Sequence, residues 1–267
     1  MLKNLFSKGG KTTEAVATPA EAEPARSRGY TVGWFLNKEK TSVIWDTPRP
    51  VRTETVKNPS AKSVTQCPAV LDFDRRFFVV PSPIDLHMRW EMKDGKRSIT
   101  NMLWDKSPIR PEALAQMVVI QPHEEWRHPD RPVLQLLTAY TFVSDDPVYI
   151  NQYPPFLHYG PNERPGVQIG GRFPIDIWPR SLMWAFEWHD ISKDLILKRG
   201  EPLFYVCFEG PDPSASVRLI EAKRTPELES YVASITGVTE WVSQTYSLFK
   251  TARERRPAKL LFPVERG

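Results

Sequence analysis

Proline interrupts this chain 26 times in 267 residues, close to twice the ordinary usage of about 5%. A proline lacks the backbone N–H and fixes φ, so it breaks a helix interior and the middle of a sheet alike. The pieces left between prolines suit strands, which run about five to six residues, better than the long helices of a bundle. A length of 267 residues lies within the range that an all-β sandwich or barrel occupies as one domain. The apolar share of 40% and nine tryptophans are enough to build its core.

Several segments carry the two-residue period of a strand. YTVGWFL (30–36) and TSVIWD (41–46) read as short strands joined by the polar turn from Asn37 to Lys40. After Pro83, Ile84, Leu86, Met88 and Trp90 point to one side, and Asp85, His87, Arg89 and Glu91 to the other. LQLLTAYTFV (134–143) is apolar almost throughout and reads as a central strand, while LILKRGEPLFYVCF (195–208) reads as a hairpin turning at Arg199, Gly200 and Glu201. RSLMWAFEWHD (180–190) has the firmest pattern: Trp184, Phe186 and Trp188 share one face and read as core, which leaves Ala185, Glu187 and His189 on the other. With Pro81 laid over Pro179, Ile84 to Trp90 match Leu182 to Trp188 position by position, as two halves feeding one core would.

The ends have a different character. Residues 1–29 are small, polar and Pro-interrupted, and read as a disordered arm on which Leu2, Leu5 and Phe6 form the one apolar cluster. Residues 225–256 start with a capping Thr225 and Pro226, then repeat Leu228, Val232, Ile235, Val238, Val242 and Phe249 near heptad spacing. This predicts an amphipathic helix of about 25 residues. Tyr231, Trp241 and Tyr246 widen its apolar side, enough to serve a homo-oligomer as well as its own domain. A tail, 257–267, follows.

Charge and cysteine content narrow the function classes. The net charge of +4 belongs to the tails, because residues 31–249 carry 25 Lys/Arg against 27 Asp/Glu. A phosphate-gripping surface needs clustered cations on a folded face, so dedicated nucleic-acid binding is not expected. Cys67 and Cys207 form neither a metal spacing nor a disulfide framework, which suits a reducing compartment. With no secretory-type apolar stretch and no membrane-span window in view, the expected location is the cytoplasm.

Two candidate sites stand out. The segment 151–173 is a long loop rich in aromatics and prolines; Tyr153, Phe156, His158 and Tyr159 with the polar Asn162, Arg164 and Arg172 suit a ligand pocket, or a lid over the core. The other is a candidate iron set. His128-x-Asp130 followed by His189 and Arg199 has the order of the 2-oxoglutarate oxygenases, in which two histidines and a carboxylate hold Fe(II) and a basic residue pairs with the 2-oxoglutarate carboxylate. The prolines and arginines of HPDRP equally suit a solvated loop with Asp130 held by arginine. No nucleophile elbow, phosphate loop, dinucleotide fingerprint or H-E-x-x-H motif occurs.

One resemblance covers about residues 64–210. It is carried by Gln66-Cys67-Pro68, the aromatic-ended strand His87 to Trp90, the apolar strand Leu136 to Phe142, the aromatic and Pro-rich loop, I-x-x-x-F-P from Ile169 to Pro174, W-x-F from Trp184 to Phe186, and R-G-E-P-L-F from Arg199 to Phe204. In this order the chain resembles an uncharacterised bacterial family of all-β proteins, which implies an all-β fold and brings no activity with it. Residues 169–178 depart from that family's more acidic loop. The expectation is an antiparallel β-sandwich of jelly-roll kind over residues 30–224, with a C-terminal helix. It is expected to act as a non-enzymatic binding or assembly module without a cofactor, the alternative being the Fe(II) and 2-oxoglutarate oxygenase.

Overall fold

The computed structural model describes residues 29–265 apart from 38, 52–59, 61, 94–95, 159 and 161–162. The expected arm, with Leu2, Leu5 and Phe6, therefore lies outside the described residues but for Gly29. Among those described, the strands in chain order are β1 (Tyr30–Leu36), β2 (Arg49–Pro50), β3 (Phe77–Pro81), β4 (Leu86–Lys93), β5 (Lys96–Asn101), β6 (Val118–Ile120) and β7 (Val133–Ser144). They continue with β8 (Tyr149–Tyr153), β9 (Gly166–Ile169), β10 (Arg172–Pro174), β11 (Ser181–Trp188), β12 (Leu195–Leu197), β13 (Pro202–Glu209) and β14 (Val217–Glu221). The helices are α1 (Pro68–Arg76), α2 (Pro111–Met117), α3 (Pro226–Thr236) and α4 (Phe249–Arg255). The first three begin on a proline, at the one helical position where the missing N–H costs nothing. The fold is mainly β.

The twelve-residue β7 organises the largest sheet, whose order is β14-β1-β7-β11-β9 with β6 also paired to β7. It is central, as its apolar run predicts. A second sheet runs β10-β8-β13-β3-β2 and a third β12-β4-β5. The pairings are antiparallel except that of β1 with β14, which is parallel and departs from the all-antiparallel expectation.

The expected hairpin at 195–208 does not form. β12 joins β4, with Leu197 opposite Leu86, while β13 joins β3, with Pro202 opposite Pro81. Between them, Ser82 N–H donates to the Glu201 carbonyl (2.8 Å) and Gly200 N–H to the Ser82 carbonyl (2.9 Å). β3–β4 and β12–β13 thus form one two-stranded ribbon that turns a corner and serves two sheets. Pro81, Pro83 and Pro202 lack the N–H groups a straight ladder would need, which places the corner where they are. Gly200 takes φ +79 there, a conformation glycine adopts without strain. The second expected strand, 41–46, is instead a 3-10 turn, Glu39–Ile44.

Inward side chains from all three sheets meet in one cluster. It holds Trp34, Leu136, Phe142, Trp184, Phe186 and Trp188 from the largest sheet, Val80, Ile150 and Phe204 from the second, and Leu86, Met88 and Leu195 from the third. Phe142 packs on Phe208 with ring centroids 5.5 Å apart, and Trp90 on Trp188 at 6.5 Å. Both alternating stretches matched in the sequence thus feed this cluster, and the aromatic stripe of β11 is fully buried, as expected.

A second cluster joins Phe35 and Val143 to Trp178, Leu228, Tyr231, Ile235, Leu260 and Leu261. The expected helix over 225–256 is shorter and broken. α3 ends at Gly237, two 3-10 turns follow, and α4 resumes at Phe249. Glycine and the β-branched residues Val238, Thr239 and Val242 weaken continuation, and Gln244 lies outside helical geometry (φ −121, ψ 78). As a result Trp241 and Tyr246 stand in the open rather than widening a buried stripe. The segment after α4 is packed: Leu260 and Leu261 are buried, and Pro263 bridges Ala222.

Candidate ligand-binding site

The loop between β8 and β9 is anchored from beneath by Arg164. Its guanidinium donates to the carbonyls of Leu203 (2.7 Å) and Pro202 and lies over the Trp184 ring at 5.6 Å. Burial pulls its pKa down to about 10, against the opposing pull of Glu201. Phe156 is the second anchor. Its ring meets Phe73, Phe77 and Tyr205 at centroid distances of 5.4, 5.8 and 5.2 Å, on the outer face of the second sheet.

Between loop and sheet lies a pocket of about 610 Å³, rimmed by Phe156, His158 and Glu163 and floored by Gln168, Trp184 and Phe186. Gly166 lets β9 approach β11 at this floor, since a Cβ there would meet the Glu187 carbonyl oxygen at 2.2 Å and the Phe186 ring at 2.5 Å. Buried polar groups normally find partners. Here both amide atoms of Gln168 and the indole N–H of Trp184 are buried without one. His158 sits 3.8 Å from Glu201, beyond hydrogen-bond length.

Of the residues expected in this site, Phe156, His158 and Arg164 line the pocket. Tyr153 faces away, packed on Phe77 at 5.5 Å. Arg172 stacks on Tyr149 at 3.8 Å and pairs with Glu209 at 3.3 Å, on a neighbouring surface. Tyr159 and Asn162 lie outside the described residues. Gln168 and Trp184 are additions. The alternation of β11 marks Trp184 correctly as core, but a period-two pattern cannot reveal that one edge of a core ring has no polar partner.

The iron set is not assembled. His128 is exposed and its Nδ1 accepts from the Asp130 N–H (3.2 Å), within one turn. His189 is exposed beyond the end of β11, and its N–H donates to Pro165. Arg199 reaches the Val43 carbonyl and Asp46. Among the described residues no group of three His, Cys, Asp or Glu side chains could hold a metal ion. Among the described residues arginine does not hold Asp130 either: Arg131 turns to the buried Glu187, 3.6 Å away. The wet face of β4 supplies a cluster instead. Asp194 accepts two hydrogen bonds from Arg89 (both 2.9 Å) and lies 2.7 Å from His87 Nε2.

No protein-family model and no curated protein matches this chain. Among the described residues no helix is long and apolar enough to cross a membrane.

Proposed function

We propose that the chain is a non-enzymatic binding module on a jelly-roll-like β-sandwich, and that its ligand enters the pocket under the loop between β8 and β9. What carries the reading is the unpartnered Gln168 amide and Trp184 indole N–H at the base of a pocket rimmed by Phe156 and His158. A ligand with a flat apolar face and an amide-like edge would complete those hydrogen bonds and stack on the aromatic side chains. These polar atoms are closed to solvent, so a ligand must displace neighbouring groups before it pairs with them. Association is then slower than ordinary docking. A contact between copies through the C-terminal segment belongs to the same proposal, because Trp241 and Tyr246 are 87% and 67% exposed.

Ligand-observed NMR with benzamide as the probe tests the pocket. Saturation transfer is expected to benzamide and not to cyclohexanol, and to fall at least several-fold in Phe156→Ala and Gln168→Leu. Equal transfer in the wild type and both variants, all folded by circular dichroism, would place any binding elsewhere and sink the reading.

A further inference from the structure

A second cavity, of about 400 Å³, lies between the two apolar clusters, where β7 and β11 fall out of register. Ser181 pairs with Thr141 but Met183 pairs with Leu137, so β7 bulges between those points. Bulges interrupt a ladder and re-aim side chains, and they favour functional surfaces. The walls are mostly apolar: Trp45 and Met117 come from one cluster, and Trp178 and Ile235 from the other.

Arg180 enters this largely apolar lining, and among the described residues no aspartate or glutamate lines the cavity with it. The residue is half-buried, and among the described residues its guanidinium makes no hydrogen bond and no ion pair. Burial alone moves its pKa, downward, with no carboxylate pulling the other way. The charged residues nearby in sequence are engaged elsewhere or out of the lining; Asp176, four residues back, feels Arg253 and Arg256. A second donor in the same wall is also idle, the buried indole N–H of Trp45. A half-buried cation with no carboxylate partner among the described residues, beside a buried donor with no acceptor, makes a recognition pattern in a largely apolar cavity. A guanidinium fork matches a carboxylate in two parallel hydrogen bonds, and that match strengthens where water is scarce.

We propose that this cavity binds a small organic monocarboxylate with an apolar body, its carboxylate on Arg180 and its body against Trp45, Met117 and Ile235. A lone cation suits a monoanion better than a phosphate dianion, which would keep an uncompensated charge among apolar walls. The volume lies within the range of small-molecule sites. This site is separate from the loop pocket and stands whether or not that pocket is used.

Isothermal titration of the full chain with decanoate, decanol and acetate separates head from tail. Decanoate should bind at one site per chain, with decanol and acetate each at least tenfold weaker. Arg180→Gln should cost decanoate at least tenfold and leave decanol unchanged, while Arg180→Lys keeps part of the preference. Ala113→Phe, on α2 at the cavity wall, should block the body of the ligand with Arg180 intact, which keeps the test decisive should the Arg180 variants fail to fold. Absence of saturable decanoate binding would overturn the proposal. So would equal affinity for decanol, or full decanoate affinity in Ala113→Phe; Arg180 would then simply cover apolar surface with its stem and keep its head in water.

Discussion

Phe186 has no solvent exposure, stacks on Trp184 at 4.8 Å and meets Trp188 edge-on at 6.3 Å. Removing that ring leaves a cavity that neighbouring indoles are too rigid to fill, so Phe186→Ala is expected to cost about 3–5 kcal/mol, read as a lower urea midpoint with an unchanged slope. Asp194 governs a pH effect. Hydrogen bonds from Arg89 hold its carboxyl below the usual value, burial opposes them, and His87 adds to the lowering. With the folded pKa below the unfolded one, the stabilisation is present above about pH 4 and is lost as pH falls through the folded-state value. Asp194→Asn should therefore flatten the acid side of the stability profile. It should not level it, since Asp190 and Asp212 are lowered as well. An unaltered melting temperature against pH between 3 and 6 would show that Arg89 and His87 contribute nothing to folding.

At the scale of elements, what was legible in the sequence was whatever depends on a period within one segment. The alternation after Pro83 and the aromatic stripe of β11 appear as strands with the expected inward face, and the apolar run of β7 appears as the central strand. Partnership was not legible. Leu195–Leu197 and Pro202–Glu209 look like two arms of a hairpin because the residues between them favour turns, yet the partners that separate them, β4 and β3, lie more than a hundred residues earlier. The same limit hid the loop pocket's floor, since Gln168 and Trp184 come from different strands. The C-terminal helix was legible at its start and not at its length. Thr225 Oγ1 accepts from the Leu228 N–H (3.2 Å), as its place before Pro226 predicts, whereas heptad spacing ran on across Gly237. Thr225→Ala should lower stability by about 1 kcal/mol. Thr225→Asp should restore most of it, and thermal melts of the two variants that coincide would show that the cap is idle.

Across the whole molecule, the last described residues act as a clasp. Leu260 and Leu261 are buried beside Val143 and Ala222, the Leu260 N–H donates to Asp145 (2.6 Å), and Lys223 N–H donates to the Phe262 carbonyl (2.6 Å). Gly33 makes room for them, since a Cβ there would meet Leu261 at 2.2 Å. Deleting residues 257–267 should thus uncover an apolar strip over β1 and β7 and raise the scattered mass, even with α3 and α4 retained. A truncated chain that stays at the wild-type mass and melts at the wild-type temperature would reduce the clasp to an ornament. The parallel pairing of β1 with β14 sets a condition on birth as well as on stability. Val32 finds Leu219 on one side and Ser144 on the other, so the first described strand leaves the ribosome with neither neighbour yet made. At ordinary translation rates it waits on the order of ten seconds or more for β14, holding Trp34 and Phe35 in water meanwhile. A nascent chain of this kind is a natural client for chaperones that shield apolar segments until the distant partner arrives.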